Sequence, residues 1–154
     1  MGLQPMPFHL YGQPPAEYRI SFPTFAETLI TCPYRSGWKL HITVSTLHFV
    51  RLAELILPRL RLLHTHHKVV LPGAYPAFNQ STQHGKFITI YAGPDGPMQR
   101  IVNAIDPVLT RLRLSGIEPG PWPINRQANH AVPEEQVGES VMISRLWLDN
   151  LLHG

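Results

Sequence analysis

Arg35-Ser-Gly-Trp-Lys-Leu-His-Ile-Thr-Val-Ser45 opens on a Ser-Gly turn and then alternates. Trp38, Leu40, Ile42 and Val44 fall on one face of a strand, and Lys39, His41, Thr43 and Ser45 on the other. The apolar row must meet a core. The polar row has two readings. It is either the solvated side of an edge strand, or a fixed cation and a titratable imidazole held side by side on a rigid floor. A second segment, Gly85-Lys-Phe-Ile-Thr-Ile-Tyr91, sets Phe87, Thr89 and Tyr91 against Ile88 and Ile90. It is the clearest strand after the first.

Between these two segments the period changes. Val50, Leu52, Leu55, Ile56, Leu60 and Leu63 follow helical spacing and predict a helix over 47–64, kinked or shortened by Pro58. His64-Thr-His-His-Lys-Val-Val-Leu71 reads as a turn feeding a strand, with Lys68 at its start. Pro72 to His84 is a long loop, and loops of that length in small domains are more often functional than idle. After the turn cluster Gly93-Pro-Asp-Gly-Pro97, Ile101, Val102, Ile105, Val108, Leu109 and Leu112 predict a second helix over 98–114, closed by Gly116. Pro119-Gly-Pro-Trp-Pro123 is rigid loop, the stretch to Glu139 is irregular, and Val141 to Leu152 is a last strand or short helix.

Upstream, residues 1–18 are rich in proline and predict an extended arm without regular structure, docked through Phe8, Leu10 and Tyr11. Tyr18 to Phe22 alternates as a short strand. Thr24 with Glu27 three residues on has the pattern of a capping box, predicting a short helix or turn before Cys32-Pro33. The order β-α-β-loop-β-α predicts an α+β fold: a small, mostly antiparallel sheet with two packed helices and long Pro/Gly-rich loops. Residues 19–154 then form one domain behind the arm.

Composition narrows the function classes. The 154 residues suffice for one core, and the 16 prolines stiffen its connections. A formal charge of +3, with nine histidines in reserve, suits an anionic ligand but falls short of a nucleic-acid binder. Nor do the aromatics interleave with the basic residues as base stacking requires. The single cysteine, Cys32, excludes an internal disulfide framework and a Cys-rich metal site, and fits a reducing, cytoplasmic setting. No apolar run is long enough to cross a membrane, and the first residues lack the pattern of a secretory signal. His64, His66 and His67 have no acidic or thiol partner at metal spacing, so they read as an exposed basic turn. No metal and no cofactor is expected. Gly85-Lys86 is not a phosphate-binding loop, no Gly-x-Ser-x-Gly elbow is present, and Cys32 has no local base.

The basic inventory is more informative. Lys39, His41, Lys68, Lys86, Arg126 and Arg145 lie on or beside predicted strands, whereas Glu27, Glu54, Asp95, Asp106, Glu118, Glu134 and Glu135 lie mainly on predicted helices and loops. If the three strands are neighbours, one sheet face carries cations with few carboxylates to neutralise them. Such a face takes a phosphate or a carboxylate. The competing reading is a solvated basic surface.

Taken in order, Gly37-Trp-Lys-Leu-His-Ile-Thr-Val44, Gly85-Lys-Phe-Ile-Thr-Ile-Tyr91 and Gly120-Pro-Trp-Pro-Ile-Asn-Arg126 resemble the lyase domain at the N-terminus of class III lanthipeptide synthetases. The Lys-x-His strand and the later Tyr strand are also similar to the phosphothreonine lyase effectors of type III secretion systems. The resemblance covers roughly residues 35–127 and extends more weakly to about 148. It implies metal-free β-elimination of phosphate from phosphoserine or phosphothreonine in a peptide or protein, leaving a dehydroamino acid. Position by position, it implies Lys68 as the base and His41 as the acid. Lys39 would hold phosphate or offset charge, Tyr91 would line the site, and Arg145 would bind phosphate, with Lys86 and Arg126 as further phosphate contacts. A separate kinase would supply the substrate, and secretion into a host cell as an effector is the alternative setting.

Two departures qualify the resemblance. The effectors carry an arginine in the loop before the Tyr strand, and Tyr75 to His84 has none, leaving Lys86, His84 or Arg126 to substitute. Residues 1–18 contain no Lys or Arg, unlike the effectors' kinase-docking arm. The competing function is a binding module of the same fold that holds a phosphorylated or acidic peptide without turning it over.

Overall fold

Alternating rows as strong as that of Lys39 to Val44 need partners on both edges, and the chain supplies them. A computed structural model describes residues 10–21, 24–78, 86–118, 120, 135–136 and 141–147. Along the chain come β1 (Tyr18–Ser21), β2 (Phe25–Thr28), β3 (Ser36–Ile42), α1 (Phe49–Leu62), β4 (His66–Val70), the single turn α2 (Tyr75–Phe78), β5 (Ile88–Gly93), α3 (Asp95–Leu114), β6 (Glu135–Gln136) and β7 (Val141–Trp147). Among the described residues the strands form a seven-stranded sheet in the order β1-β2-β4-β5-β3-β7-β6. Each pairing is antiparallel. The fold is therefore α+β, and β4, β5 and β3 are contiguous.

One face of the sheet meets the helices. Leu40, Ile42, Val69, Ile88 and Ile90 pack in one cluster with Leu52, Ile56, Leu57 and Leu60 of α1 and Val102, Ile105 and Leu109 of α3. Fully burying side chains of this size contributes about 1.5–3 kcal/mol each. The helical spacing of those positions is why α1 and α3 form here. α1 continues through Pro58 to Leu62, so the proline does not end it. α3 starts at Asp95, earlier than periodicity alone placed it, with Pro94 as its N-cap residue and Pro97 in the first turn, where no intrahelical N–H is required.

An aromatic cluster closes one end of the core. Tyr11, Phe49, Tyr75 and Phe87 meet with ring centroids 4.6–6.2 Å apart. Tyr11 donates its hydroxyl to the Val70 carbonyl and Tyr75 donates to that of Val44, each at 2.7 Å. Leu10 and Tyr11 thus dock as expected, whereas Phe8 lies outside the described residues. The arm is not wholly irregular, because Pro15–Glu17 forms a 3-10 turn.

Three expectations are corrected. The capping-box segment is strand β2: Phe25, Ala26 and Glu27 pair with Val70, Val69 and Lys68, and that ladder outweighs a weak local signal. The histidine cluster is not an exposed turn, since His66 and His67 are buried in β4 and only His64 stays outside. Within the long loop, Tyr75–Phe78 is helical, and residues 79–85 lie outside the described set. The Val141 segment resolves as strand β7.

Candidate active site

Residues paired across an antiparallel ladder share a face, so register alone assembles the site. His41 pairs with Thr89, Thr89 with Lys68, and Lys68 with Glu27. The next row on that face runs Lys39, Tyr91, His66. His41 Nδ1 lies 3.3 Å from Thr89 Oγ1. Lys68 Nζ sits 4.3 Å from the centre of the Phe25 ring and 6.0 Å from that of Tyr91, and Lys39 Nζ is also 6.0 Å from Tyr91. Two ammonium groups therefore flank one phenol ring. The row is not a solvated strand surface, because His41 keeps only 1% of its exposure.

Burial in a cationic neighbourhood sets the protonation chemistry. Loss of water pushes the His41 pKa well below that of free histidine, and Lys86, Lys39 and Lys68 push it the same way. Burial also lowers Lys68; Glu27 opposes that shift and Lys86 adds to it. The Tyr91 phenol is raised by burial and stays protonated. At neutral pH the resting site presents a neutral imidazole and a lysine drawn toward the basic form.

Glu27 and His66 belong to this face, and neither was chosen as a site residue from the sequence. The Cys32 backbone N–H donates to His66 Nδ1 at 3.0 Å. That leaves Nε2 as the proton-bearing nitrogen, and it donates to Glu27 Oε2 at 2.7 Å. The bond holds the Glu27 carboxyl below the usual range. A face with few carboxylates was expected; Glu27 places one directly opposite Lys68. The signal was in the sequence, as the alternation of Phe25 and Glu27 against Ala26 and Thr28, but four residues are too few to outweigh a capping pattern.

Glycines fix how the rows are presented. A Cβ at Gly37 would stand 2.3 Å from the carbonyl carbon of Gly93, and one at Gly93 (φ 85°) would stand 2.5 Å from the Tyr34 ring. This close approach accompanies the register shift between Trp38 and Lys39, beside which Trp38 Nε1 donates to Asp95 Oδ1 at 2.6 Å. At the other end of β3, a Cβ on Gly120 would meet the Val44 carbonyl oxygen at 2.5 Å and Thr43 Oγ1 at 2.6 Å. The motif that begins at Gly120 therefore starts beside the site strand.

Lys39, His41, Lys68 and Tyr91 thus converge, and Lys86, just before β5, is near enough to act on both His41 and Lys68. Position 145 pairs with Trp38, while Ser144 pairs with Lys39, so the ladder sets Arg145 one position off the Lys39 row. Arg126 lies outside the described residues. Among the described residues no group of three His, Cys, Asp or Glu side chains is arranged to hold a metal ion, and no helix is long and apolar enough to cross a membrane. A cavity of about 320 Å³ shares His66 and Tyr91 with the site and is also lined by Cys32, Tyr34 and Arg100. A cavity of about 670 Å³ beside Pro58, Leu62 and His67 includes none of the site lysines.

No family model matches the chain, and no curated protein matches it. Among solved structures it is similar to the type III effector and phosphothreonine lyase OspF from Shigella flexneri, with a TM-score of 0.52. The match covers 84% of this chain and 68% of that one, at 17% sequence identity. At that identity the likeness is one of fold: the chain is an α+β protein built on the same architecture as a phosphothreonine lyase.

Proposed function

We propose that the chain is a carbon–oxygen lyase that removes phosphate by β-elimination from phosphothreonine or phosphoserine in a peptide or protein. The observation that carries this reading is the convergence on one sheet face of His41 and Tyr91, both buried, with Lys68 and Lys39, both half-buried. Lys68, as the free amine, takes the Cα proton. The electron pair forms the Cα=Cβ double bond, the Cβ–O bond breaks, and His41 protonates the departing phosphate oxygen. Lys39 and Lys86 offset the phosphate charge, Tyr91 walls the site, and Arg126 is the further phosphate contact; Arg145, whose backbone pairs with Trp38 and not with Lys39, is given no contact in this reading.

The protonation states fit that sequence. A lysine works as a base only when its pKa falls toward the working pH, and burial with Lys86 moves Lys68 that way. His41 is neutral at rest and needs a proton before it can act as an acid. An incoming phosphate dianion supplies the opposite charge that raises the imidazole's proton affinity, and a phosphate monoester itself titrates near about pH 6. Substrate binding and loading of the acid are therefore one event. A separate kinase makes the substrate. Peptide modification of the lanthipeptide type and action on a host phosphoprotein after secretion are the two settings this chemistry serves.

The test is to incubate the protein with a phosphothreonine peptide and follow it by mass spectrometry. Elimination removes phosphoric acid, whereas hydrolysis leaves the hydroxyl behind. Lys68→Ala should slow the loss by about 10²–10⁴-fold. Binding without any loss would sink the enzyme reading and leave the second one, a module that only recognises phosphorylated or acidic peptides. That second reading draws support from Glu27, whose charge favours the ammonium form of Lys68.

A further inference from the structure

We propose that Glu27, held by His66, is the positioning residue for Lys68: it fixes the Lys68 side chain and supplies the counter-charge Lys68 needs once it has taken the Cα proton. The inference rests on Lys68 being the base. β2 delivers Glu27 directly across the ladder from Lys68. The carboxylate is tied from two sides, by the Nε2–H of His66 at 2.7 Å and by the side chain of Ser21. His66 is itself fixed, since its Nδ1 accepts the Cys32 backbone N–H and its ring packs on Tyr91 with centroids 4.3 Å apart. The chain of contacts thus runs from backbone to imidazole to carboxylate, on the residue paired with Lys68 across the ladder.

The groups around Lys68 explain why an anion is needed there. Lys86 approaches from the start of β5, Lys39 and His41 face it from β3, His66 and Tyr91 lie in the adjoining row, and Arg19 pairs with Glu27 from β1. The ring centres of Phe25 and Tyr91 lie 4.3 and 6.0 Å from Lys68 Nζ. Without the Glu27 carboxylate, the ammonium formed in the reaction would lose the charge that opposes burial and Lys86. Glu27 also opposes the downward pull of burial and Lys86, so Lys68 stays basic enough to remove a carbon-bound proton.

Glu27→Gln keeps the shape and the acceptor oxygen for His66 but removes the charge. Two readouts are taken on the full-length protein: the pH profile of elimination from a phosphothreonine peptide, and the pH dependence of Lys68 labelling by acetic anhydride without substrate, read by mass spectrometry. The variant should move the acid limb of kcat and the half-point of labelling to lower pH by about one pH unit or more. KM should stay near that of the wild type, because Glu27 lies on the far side of Lys68 from His41 in the row. His66→Phe keeps the ring against Tyr91 and removes the His66 donor from Glu27 while leaving that of Ser21, so it should shift both readouts the same way by less. Should Glu27→Gln not fold, His66→Phe decides alone. Elimination with neither readout moved in the folded variants overturns the inference. No elimination by the wild type overturns the lyase reading instead, and the labelling shift still decides whether Glu27 governs Lys68.

Discussion

On the helix side of the sheet Leu40, Ile42, Val69, Ile88 and Ile90 keep none of their exposure, and on the other side His41, Thr89 and His66 keep 1%, 2% and 2%. The centre of the site face is nearly as dry as the core, while Lys39, Lys68 and Glu27 around it are half-buried, and the two faces carry opposite chemistry. Removing water from aliphatic side chains is the main stabilising contribution to the fold. Removing it from an imidazole or an ammonium costs free energy, and the cost appears as displaced pKa values. One face holds the protein together, and the other spends part of that stability to hold reactive groups.

Adjacent residues in β4 make the same point at closer range. His66 faces Glu27 and Tyr91 on the site side. His67 faces the core, where the Tyr18 hydroxyl meets its Nε2 at 2.8 Å and Thr65 Oγ1 meets its Nδ1 at 2.7 Å. Burial pushes the His67 pKa down to about 3. Both histidines are buried and hydrogen-bonded, yet only one lies on the face of Lys68, the proposed base. Face, and not residue type, separates a structural histidine from one that serves the site.

Substitutions on the two faces should therefore separate stability from activity. The largest stability effect is expected from Ile90→Ala, which empties part of the core between β5 and the helices and should cost about 2–5 kcal/mol in a denaturant titration. Elimination by the fraction still folded should be unchanged. Lys68→Met is the mirror case: it removes the proposed base and relieves a largely buried cation, so elimination should disappear while stability holds or rises. Equal stability losses for the two variants would erase the distinction between the faces.

Acid should act next most strongly, through the buried histidines. His67 and His41 have folded pKa values below that of the unfolded chain, about 6.5. Above that pH both states are neutral and neither group affects stability. As pH falls below it the unfolded chain takes up protons first, so stability drops by up to about 1.4 kcal/mol per pH unit for each histidine. Urea midpoints measured from pH 7 to 5 should fall accordingly, and His67→Gln should reduce the slope by roughly half. A flat profile would mean that both of these rings are solvated. Outside both faces little should happen. Leu62 at the end of α1 is 80% exposed, and Leu62→Gln should change stability by no more than about 0.5 kcal/mol.

Much of this was readable from periodicity. β3, β5, α1 and α3 announce themselves because each runs long enough to repeat its period several times, and the Lys39/His41 row follows from the period of β3. The edge was less legible. In Thr24 to Thr28 the capping pattern of Thr24 and Glu27 competes with a strand only four residues long, and local spacing favours the wrong element. The helical pattern also continued past Leu62, although the chain turns at His64, where φ is positive.

The sequence by itself determined which residues alternate, and so that Lys39 and His41 share a face with no aliphatic residue of β3 between them. Which strands are neighbours was decided only in three dimensions. Glu27 meets Lys68 across 41 residues of chain, and Lys68 meets Thr89 across 21, because the ladders set their register. Ladder hydrogen bonds join backbone atoms that are alike at every position, so they leave no local mark in the sequence. Register is chosen by burying the aliphatic rows together, and the site face is what that choice places on the other side.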